Sequence, residues 1–382
     1  MPDYKAILSG QSWNALPTLG STKKPVFLAY TFNPPALDTF WDWSRFSSAD
    51  REVARTALKL WGDASGIRFI EVRGQAAELK FQWQETWDSA IAWAEFPSLN
   101  RDRFVNPGDR IRDPAGGNVY VNSLYRDELR EHPNYKLYVL LHEIGHALGL
   151  KHPFHRMDHN RQLLSSDLDK VENTVMSYTG ADTDMGAVNL GPLDRQAIQA
   201  LYGDPSQDGR QVSKWHWNQS KQILSQTGKS KADTIYGVAV KDVIKGDAGN
   251  DRLHGFGGDD VLYGGKGRDV LSGGDGDDRF TFDTSLKAGA NTDRILDFDN
   301  GAETDRIVLS SKVFKTIPKG QLVEGMFVDG PAALDADDRI LFDNDGARTA
   351  YYDADGAGPV AAVRFATVQG ASIIGASDFF IV

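Results

Sequence analysis

A nine-residue repeat occupies part of the second half of the sequence and limits the folds open to it. From Gly228, six consecutive units begin with Gly, carry Asp at position 6 and place a large apolar residue at position 8. The last four, "GDAGNDRLH", "GFGGDDVLY", "GGKGRDVLS" and "GGDGDDRFT", are strong units, and the two before them are degenerate. A six-residue glycine-rich turn followed by a short strand with its apolar residue inward predicts a parallel β-roll.

The same units predict bound calcium. Glycine permits backbone angles that point carbonyl oxygens at a common site, and the aspartate at position 6 adds a carboxylate to the six to eight oxygens that calcium accepts. The expected calcium ligands are Gly246, Ala248, Asp251, Gly255, Gly257, Asp260, Gly264, Lys266, Asp269, Gly273, Asp275 and Asp278. We expect this region to be poorly folded without calcium, because stacked carboxylates repel one another. The alternative, a flexible Gly/Asp-rich linker, does not explain six units in phase.

Composition excludes several other classes of protein. The net charge of −11 argues against nucleic acid as a partner. The chain has no cysteine, which excludes a disulfide framework and thiol catalysis. No apolar run approaches the length of a membrane span, and "MPDYKAILSGQSWN" shows no Sec-type signal.

The first half predicts one α+β domain. Strand patterns such as "KPVFLAYTF" and "GGNVYVNS" alternate with helical patterns such as "NYKLYVLLHEIGHALGL" and "GPLDRQAIQALYG". We therefore expect one domain over 1–205, a linker or docking segment over 206–227, and a calcium-binding part over 228–382. In that last part the β-roll core spans 228–281 and a β-rich C-terminal cap follows it.

The stretch "LLHEIGHALGLKHP" predicts a catalytic zinc site. On a helix, His142 and His146 lie on one face, and Gly149 can end the helix so that the chain folds back and brings in His152. Catalytic zinc takes three protein ligands and keeps one position open. Glu143 would take a proton from zinc-activated water and return it to the leaving amine. The alternative is a helix with incidental histidines, but all five defined positions of HExxHxxGxxH match.

This pattern resembles the metzincin metallopeptidases. The resemblance implies a methionine turn beneath the zinc site, and "NTVMSYTG" places Met176 there. It also implies that Tyr178 coordinates zinc or stabilises the tetrahedral intermediate. "AIAWAEFP" resembles the family's edge strand, which would bind an extended peptide. His155 and His159, just beyond the motif, are interpreted as surface or pocket-wall residues.

The two halves together resemble the serralysins, secreted bacterial zinc endopeptidases with a calcium-binding repeat-in-toxin domain. The resemblance implies an α+β metzincin-like catalytic domain followed by an all-β parallel β-roll with a β-rich cap. It implies one catalytic zinc, several structural calcium ions, protein or peptide substrates, and a monomer. The ending "SDFFIV" resembles the uncleaved signal for type I export, so we expect a secreted protein that uses that machinery. A small protein inhibitor is a further candidate partner.

Two other functions fit parts of the sequence. One is a calcium-dependent adhesin or structural protein with an inactive protease domain, which the intact ligands, base and tyrosine argue against. The other is a repeat-in-toxin lipase, which the absence of GxSxG makes a poor fit.

Overall fold

The protein is described here by a computed structural model. It describes residues 3–13, 24–34, 43–74, 76–86, 89–97, 99–100, 111–112, 116–286, 291–299, 303–371 and 373–382. The chain divides into two compact units, 1–104 with 110–211 and 105–109 with 212–382. Each is described separately below.

A mostly parallel sheet forms the first unit's framework. Its strands are β1 (Val26–Thr31), β2 (Trp43–Ser44), β3 (Ile67–Glu71), β4 (Leu79–Gln84), β5 (Ala92–Ala94) and β8 (Asn118–Asn122). The order is β3-β1-β4-β8-β5, with β2 antiparallel to β4. β5 is also antiparallel and ends the order. Two further short strands, β6 (Leu99–Asn100) and β7 (Ile111–Arg112), pair with each other.

Four helices accompany this sheet: α1 (Ser48–Asp63), α2 (Arg126–Glu131), α3 (Pro133–Ala147) and α4 (Pro192–Tyr202). Ser47 caps α1 through a capping box with Asp50, which satisfies free N–H groups of its first turn. Pro192 occupies the first turn of α4, and Gly203 ends that helix with a φ of 84°.

A buried ion pair joins α1 to α3. The Lys136 ammonium donates to the Asp50 carboxylate, and Trp83 Nε1 donates to the same carboxylate at 3.0 Å. Both charged residues are buried, and the Lys136 hydrogen bond helps to keep the pKa of Asp50 below its usual range although burial opposes this. The pair therefore depends on mutual satisfaction of its charges.

Strands make up almost all of the regular secondary structure described in the second unit. They are β9 (Lys214–Asn218), β10 (Ile223–Thr227), β11 (Thr234–Tyr236), β12 (Asp242–Lys245), β13 (Arg252–Gly257), β14 (Val261–Tyr263), β15 (Val270–Asp275), β16 (Arg279–Phe282), β17 (Asp293–Phe298), β18 (Arg306–Leu309), β19 (Gly320–Gln321), β20 (Phe327–Asp329), β21 (Ile340–Phe342), β22 (Thr349–Tyr352), β23 (Val363–Gly370) and β24 (Phe379–Ile381). One sheet has the order β19-β24-β18-β16-β14-β12-β10-β9, and the other β11-β13-β15-β17-β23-β22-β21-β20.

Successive repeat strands alternate between these two sheets. In the first sheet, adjacent strands from β10 to β24 are parallel. In the second sheet, adjacent strands from β11 to β23 are also parallel. The apolar residues at repeat position 8 are all buried: Ile235, Ile244, Leu253, Leu262, Leu271 and Phe280. The segment 206–227, expected to be a linker or docking segment, contains the antiparallel hairpin of β9 and β10. The prediction that an α+β part is followed along the chain by a β-rich part is confirmed.

None of the described helices combines the length and apolarity needed to cross a bilayer.

Candidate metal centre

The helix α3 and the turn after it bring three histidines together. His142 and His146 lie one turn apart on α3, and Gly149 follows with a φ of 104°. A side chain at Gly149 would collide with the carbonyl of Gln11, so both backbone angle and space favour glycine there. The chain then reverses, and His152 comes back to the helix. One ring nitrogen from each histidine lies within 4.8 Å of the others.

Hydrogen bonds orient two of the three rings. His142 Nδ1 lies 2.7 Å from the Val175 carbonyl, and His146 Nδ1 lies 2.7 Å from the Leu150 carbonyl. A carbonyl only accepts, so each Nδ1 carries the proton and each Nε2 keeps its lone pair. His152 Nε2 lies 3.0 Å from the Nε2 atoms of both other rings.

This donor set fits zinc. Burial, with the charge of neighbouring histidines, lowers the pKa of all three rings to about 3, so they are neutral near pH 7. Three neutral imidazole nitrogens are typical catalytic zinc ligands. Tetrahedral bonds of about 2.0–2.1 Å would separate such nitrogens by roughly 3.3 Å, close to the observed spacing.

Glu143 is a buried carboxyl beside this centre. It is 7% exposed, and its Oε2 has no hydrogen-bond partner among the described residues. Burial raises its pKa to about 8, and a nearby divalent cation would lower it again. The residue lines a cavity of about 300 Å³ together with His142, Tyr178 and Ala92 of β5. An unpaired carboxylate facing a cavity can exchange protons with a molecule bound there.

Tyr178 also reaches the centre. Its hydroxyl lies 2.8 Å from His152 Nε2, and its ring stacks on His142 with centroids 5.2 Å apart. The side chain is 55% exposed, and partial burial raises the pKa of its hydroxyl to about 12, so that the hydroxyl keeps its proton at neutral pH. Phe154, which the sequence did not single out, stacks on His152 and contacts Tyr178.

Met176 lies under the histidine helix. It is fully buried, and a Cβ added to Gly145, which lies between His142 and His146 on α3, would come within 2.5 Å of its sulfur. The glycine therefore leaves room for the methionine directly beneath the helix turn that carries two histidines.

Asp194, at the start of α4, supports the same turn and was not predicted. Its buried carboxylate accepts hydrogen bonds from Thr174 Oγ1 at 2.6 Å, and from the backbone N–H groups of Val175 and Gly191 at 2.8 Å. The Val175 carbonyl in turn orients His142. The only signal in the sequence is an acidic residue in the first turn of a helix, which is too common to indicate such a role.

The strand predicted to bind peptide lies at a sheet edge. β5 pairs with β8 and ends the strand order of its sheet, and its residues are half-buried. It contributes Ala92 to the lining of the cavity that holds Glu143. His155 lies outside the cluster, with its ring centroid 6.4 Å from that of His152.

In the second unit, the repeat aspartates leave a row of oxygens unpaired. Within the described chain, the buried Oδ2 atoms without a hydrogen-bond partner include those of Asp251, Asp260, Asp269 and Asp278. A Cβ on Gly255 would collide with Asp260 Oδ2 and the carbonyl of Gly273, and Gly246 meets Asp251 and Gly264 in the same way. Carboxylate and carbonyl oxygens thus converge where glycine leaves space, which fits calcium.

Eight of the twelve predicted calcium residues lie between strands: Gly246, Ala248, Asp251, Asp260, Gly264, Lys266, Asp269 and Asp278. The other four lie within strands, Gly255 and Gly257 in β13 and Gly273 and Asp275 in β15. Ala248 and Lys266 form a parallel bridge between turns 18 residues apart.

Hydrogen bonds between aspartates form two rows, here called ladders, that continue beyond the last repeat unit. Each Asp N–H donates to the Oδ1 of an aspartate 18 residues on, as from Asp251 to Asp269 at 2.8 Å and from Asp260 to Asp278 at 2.8 Å. The ladders continue from Asp269 to Asp293 at 3.1 Å and from Asp278 to Asp305 at 2.8 Å. Asp293 was missed because it lies outside the nine-residue phase. Asp305 was missed because it follows a stretch after residue 281 in which the repeat units are lost.

Comparisons with known proteins give a family match for each half of the chain. A family model described as Matrixin matches residues 42–203. A model of the RTX calcium-binding nonapeptide repeat matches 227–255, 236–271 and 254–284. The chain therefore joins a matrixin domain to RTX calcium-binding repeats. Zinc and calcium, the predicted cofactors, are the ions that these two families use.

Two of the three similar proteins described next carry the predicted family name. Serralysin C of Dickeya chrysanthemi is 29% identical over 243 residues, which cover 58% of this chain and 48% of the relative. Serralysin B of the same organism is 29% identical over 207 residues, covering 49% and 41%. Metalloprotease AprA of Pseudomonas entomophila is 28% identical over 245 residues, covering 58% and 48%. The matched region thus spans less than half the length of these relatives.

Among solved structures, the AlgE6R3 subunit of the Azotobacter vinelandii mannuronan C5-epimerase is 28% identical and covers 40% of this chain and 79% of its own. The TM-score is 0.29, which is too low to carry an argument.

Proposed function

We propose that the chain is a zinc-dependent endopeptidase stabilised by calcium. The observation that carries this proposal is the meeting of three neutral imidazole nitrogens beside Glu143, whose free carboxyl oxygen is buried next to a cavity. This combination suits hydrolysis better than it suits a purely structural metal, because a structural site has no use for an unpaired carboxylate.

In the proposed mechanism, His142, His146 and His152 would hold the zinc ion. When bound, it would supply a Lewis acid that polarises the scissile carbonyl and lowers the pKa of water to about 7. Glu143 accepts the proton of the attacking water and passes it to the leaving amine. The Tyr178 hydroxyl donates a hydrogen bond to the oxygen that becomes negative in the transition state.

The edge strand β5 is proposed to hold the substrate. An extended peptide can add to a sheet edge by pairing backbone N–H and C=O groups, which binds largely regardless of sequence. The half-buried Ala92–Ala94 backbone runs beside the cavity that holds Glu143. We therefore propose unfolded or looped segments of proteins as the substrate class.

For the second unit we propose a parallel β-roll with calcium in its turns. It belongs to a domain that spans 228–382, after a catalytic domain at 1–205 and a linker or docking segment at 206–227. Alternating parallel strands, buried position-8 residues and converging aspartate oxygens support it. Calcium at such sites would let the carboxylates lie close together.

We further propose an extracellular, monomeric protein exported by a type I system, since calcium abundant outside the cell would complete the fold there. We also propose, as a partner that is itself a protein like the substrates, a small inhibitor that fills the cavity.

Chelation followed by zinc addition tests the proposed activity. The parent chain should cleave casein, lose that activity when zinc is chelated in the presence of excess calcium, and regain it with one equivalent of zinc. Calcium binding without any zinc-dependent cleavage would instead favour the adhesin or structural protein.

A further inference from the structure

Lys151, directly before the third histidine, is a buried cation that the proposed mechanism does not use. It is 0% exposed. Within the described part of the chain its Nζ contacts no carboxylate; its partners are the carbonyl oxygens of His152 at 3.3 Å, His155 at 2.6 Å and Gln162 at 2.9 Å. An ammonium has three N–H donors, and each has one acceptor here.

Burying the Lys151 ammonium with no carboxylate partner costs free energy. Its hydrogen bonds therefore restrict the conformation of the backbone that supplies the acceptors. The charge is tolerated only while its donors are satisfied. The three acceptors belong to residues 152, 155 and 162, so the loop 152–162 folds around Nζ. Two other contacts close the same loop: Leu164 N–H donates to the Pro153 carbonyl at 3.1 Å, and Asn160 Nδ2 donates to the Leu8 carbonyl at 2.7 Å.

The third histidine depends on this loop more than the first two do. His142 and His146 are fixed by α3 and by carbonyl partners at Nδ1. Among the described residues, His152 Nδ1 has no hydrogen-bond partner, and the residue lies beyond the end of the helix. Its ring is held by stacking on Phe154, and its backbone carbonyl is one of the three that Lys151 holds.

We propose that Lys151 is a positioning residue for the zinc site, acting through the backbone of the 152–162 loop to place His152. The inference rests on the proposed zinc function. Groups that orient metal ligands without touching the metal change metal affinity by about 10- to 100-fold when removed. We expect a change of that size here.

The test compares zinc binding by the full-length parent and by Lys151→Met, which keeps the apolar stem and removes the ammonium. Zinc dissociation constants are measured on apoprotein by competition with a chromophoric chelator, with calcium present. The visible spectrum of the Co²⁺-loaded proteins reports ligand geometry. Lys151→Met should weaken zinc binding by about 10- to 100-fold and alter the Co²⁺ spectrum.

Lys136→Met is the matched control, because it also removes a buried ammonium, on the histidine helix but away from the loop. It should lower the melting temperature and leave zinc affinity within about twofold, since it leaves the ligand contacts in place. Equal loss of zinc affinity in both variants would mean that general destabilisation is responsible and would overturn the inference.

Further outcomes are equally decisive. If Lys151→Met does not fold, Lys151→Gln, which keeps two N–H donors, takes its place. Parental zinc affinity in either folded variant overturns the inference, and so does failure of both to fold, because Lys151 would then serve the fold as a whole. A parent chain that binds no zinc would refute the proposed function itself.

Discussion

Removing calcium should make the stability of the second unit fall as the pH rises from 5 to 8. Burial raises the pKa of Asp278 from 3.8 to about 8, that of Asp305 to about 7 and that of Asp251 to about 6. A carboxyl whose pKa is raised in the folded state favours folding while it is protonated. Its contribution is complete below about pH 4 and is lost as the pH passes the folded-state value.

The raised pKa of Asp278 alone indicates how much folding free energy is lost as the pH rises. Asp278 is fully buried. A pKa raised from 3.8 to about 8 implies that folding loses roughly 3–4 kcal/mol between pH 5 and pH 8. That is a large part of the 5–15 kcal/mol by which domains are usually stable. Calcium-free protein should therefore lose the fold of its repeats near neutral pH, and calcium should restore it.

Hydrogen exchange of the full chain, followed by mass spectrometry, measures this directly. In calcium-free protein, protection factors for peptides within 251–309, corrected for intrinsic rates, should fall about 100- to 1,000-fold from pH 5 to pH 8. Asp278→Asn should reduce this dependence and bind calcium more weakly, because asparagine cannot ionise. Protection that stays constant or increases with pH would refute the reasoning.

Three other changes test the first unit. Asp50→Ala leaves the ammonium of Lys136 unpaired and should cost about 3–5 kcal/mol in urea unfolding, and a loss below about 1 kcal/mol would contradict the role of the pair. Gly145→Ala should cost about 1–3 kcal/mol, since the new Cβ would meet the sulfur of Met176, and unchanged stability would show that the methionine moves freely. Tyr178→Phe should lower kcat about 10- to 1,000-fold with zinc content and KM little changed; an unaltered kcat would exclude the hydroxyl from catalysis.

Local pattern was enough to predict the parts of the structure that depend on short spacing. The four-residue step between His142 and His146 places both on one helical face, and Gly149 supplies the turn that returns His152. The nine-residue phase likewise predicted which apolar residues are buried in the second unit. In each case the geometry depends on neighbours within one turn or one repeat.

Contacts between distant parts of the chain could not be predicted in this way. Asp194 supports the methionine turn from another helix, and Lys151 becomes buried only when the loop to Gln162 folds around it. Asp293 extends one ladder by a step of 24 residues, which no nine-residue repeat indicates, and Asp305 extends the other across 27 residues in which the repeat units are lost. Such roles depend on tertiary proximity, which residue type and local spacing do not specify.

The central claim is that Glu143 moves protons beside a zinc ion held by three histidines. Glu143→Gln keeps the shape of the side chain and removes its ability to act as a base. The variant should bind one zinc ion per chain, as the parent does, and its cleavage of casein should fall by about 100-fold or more. Near-parental cleavage by the zinc-loaded variant would contradict the account.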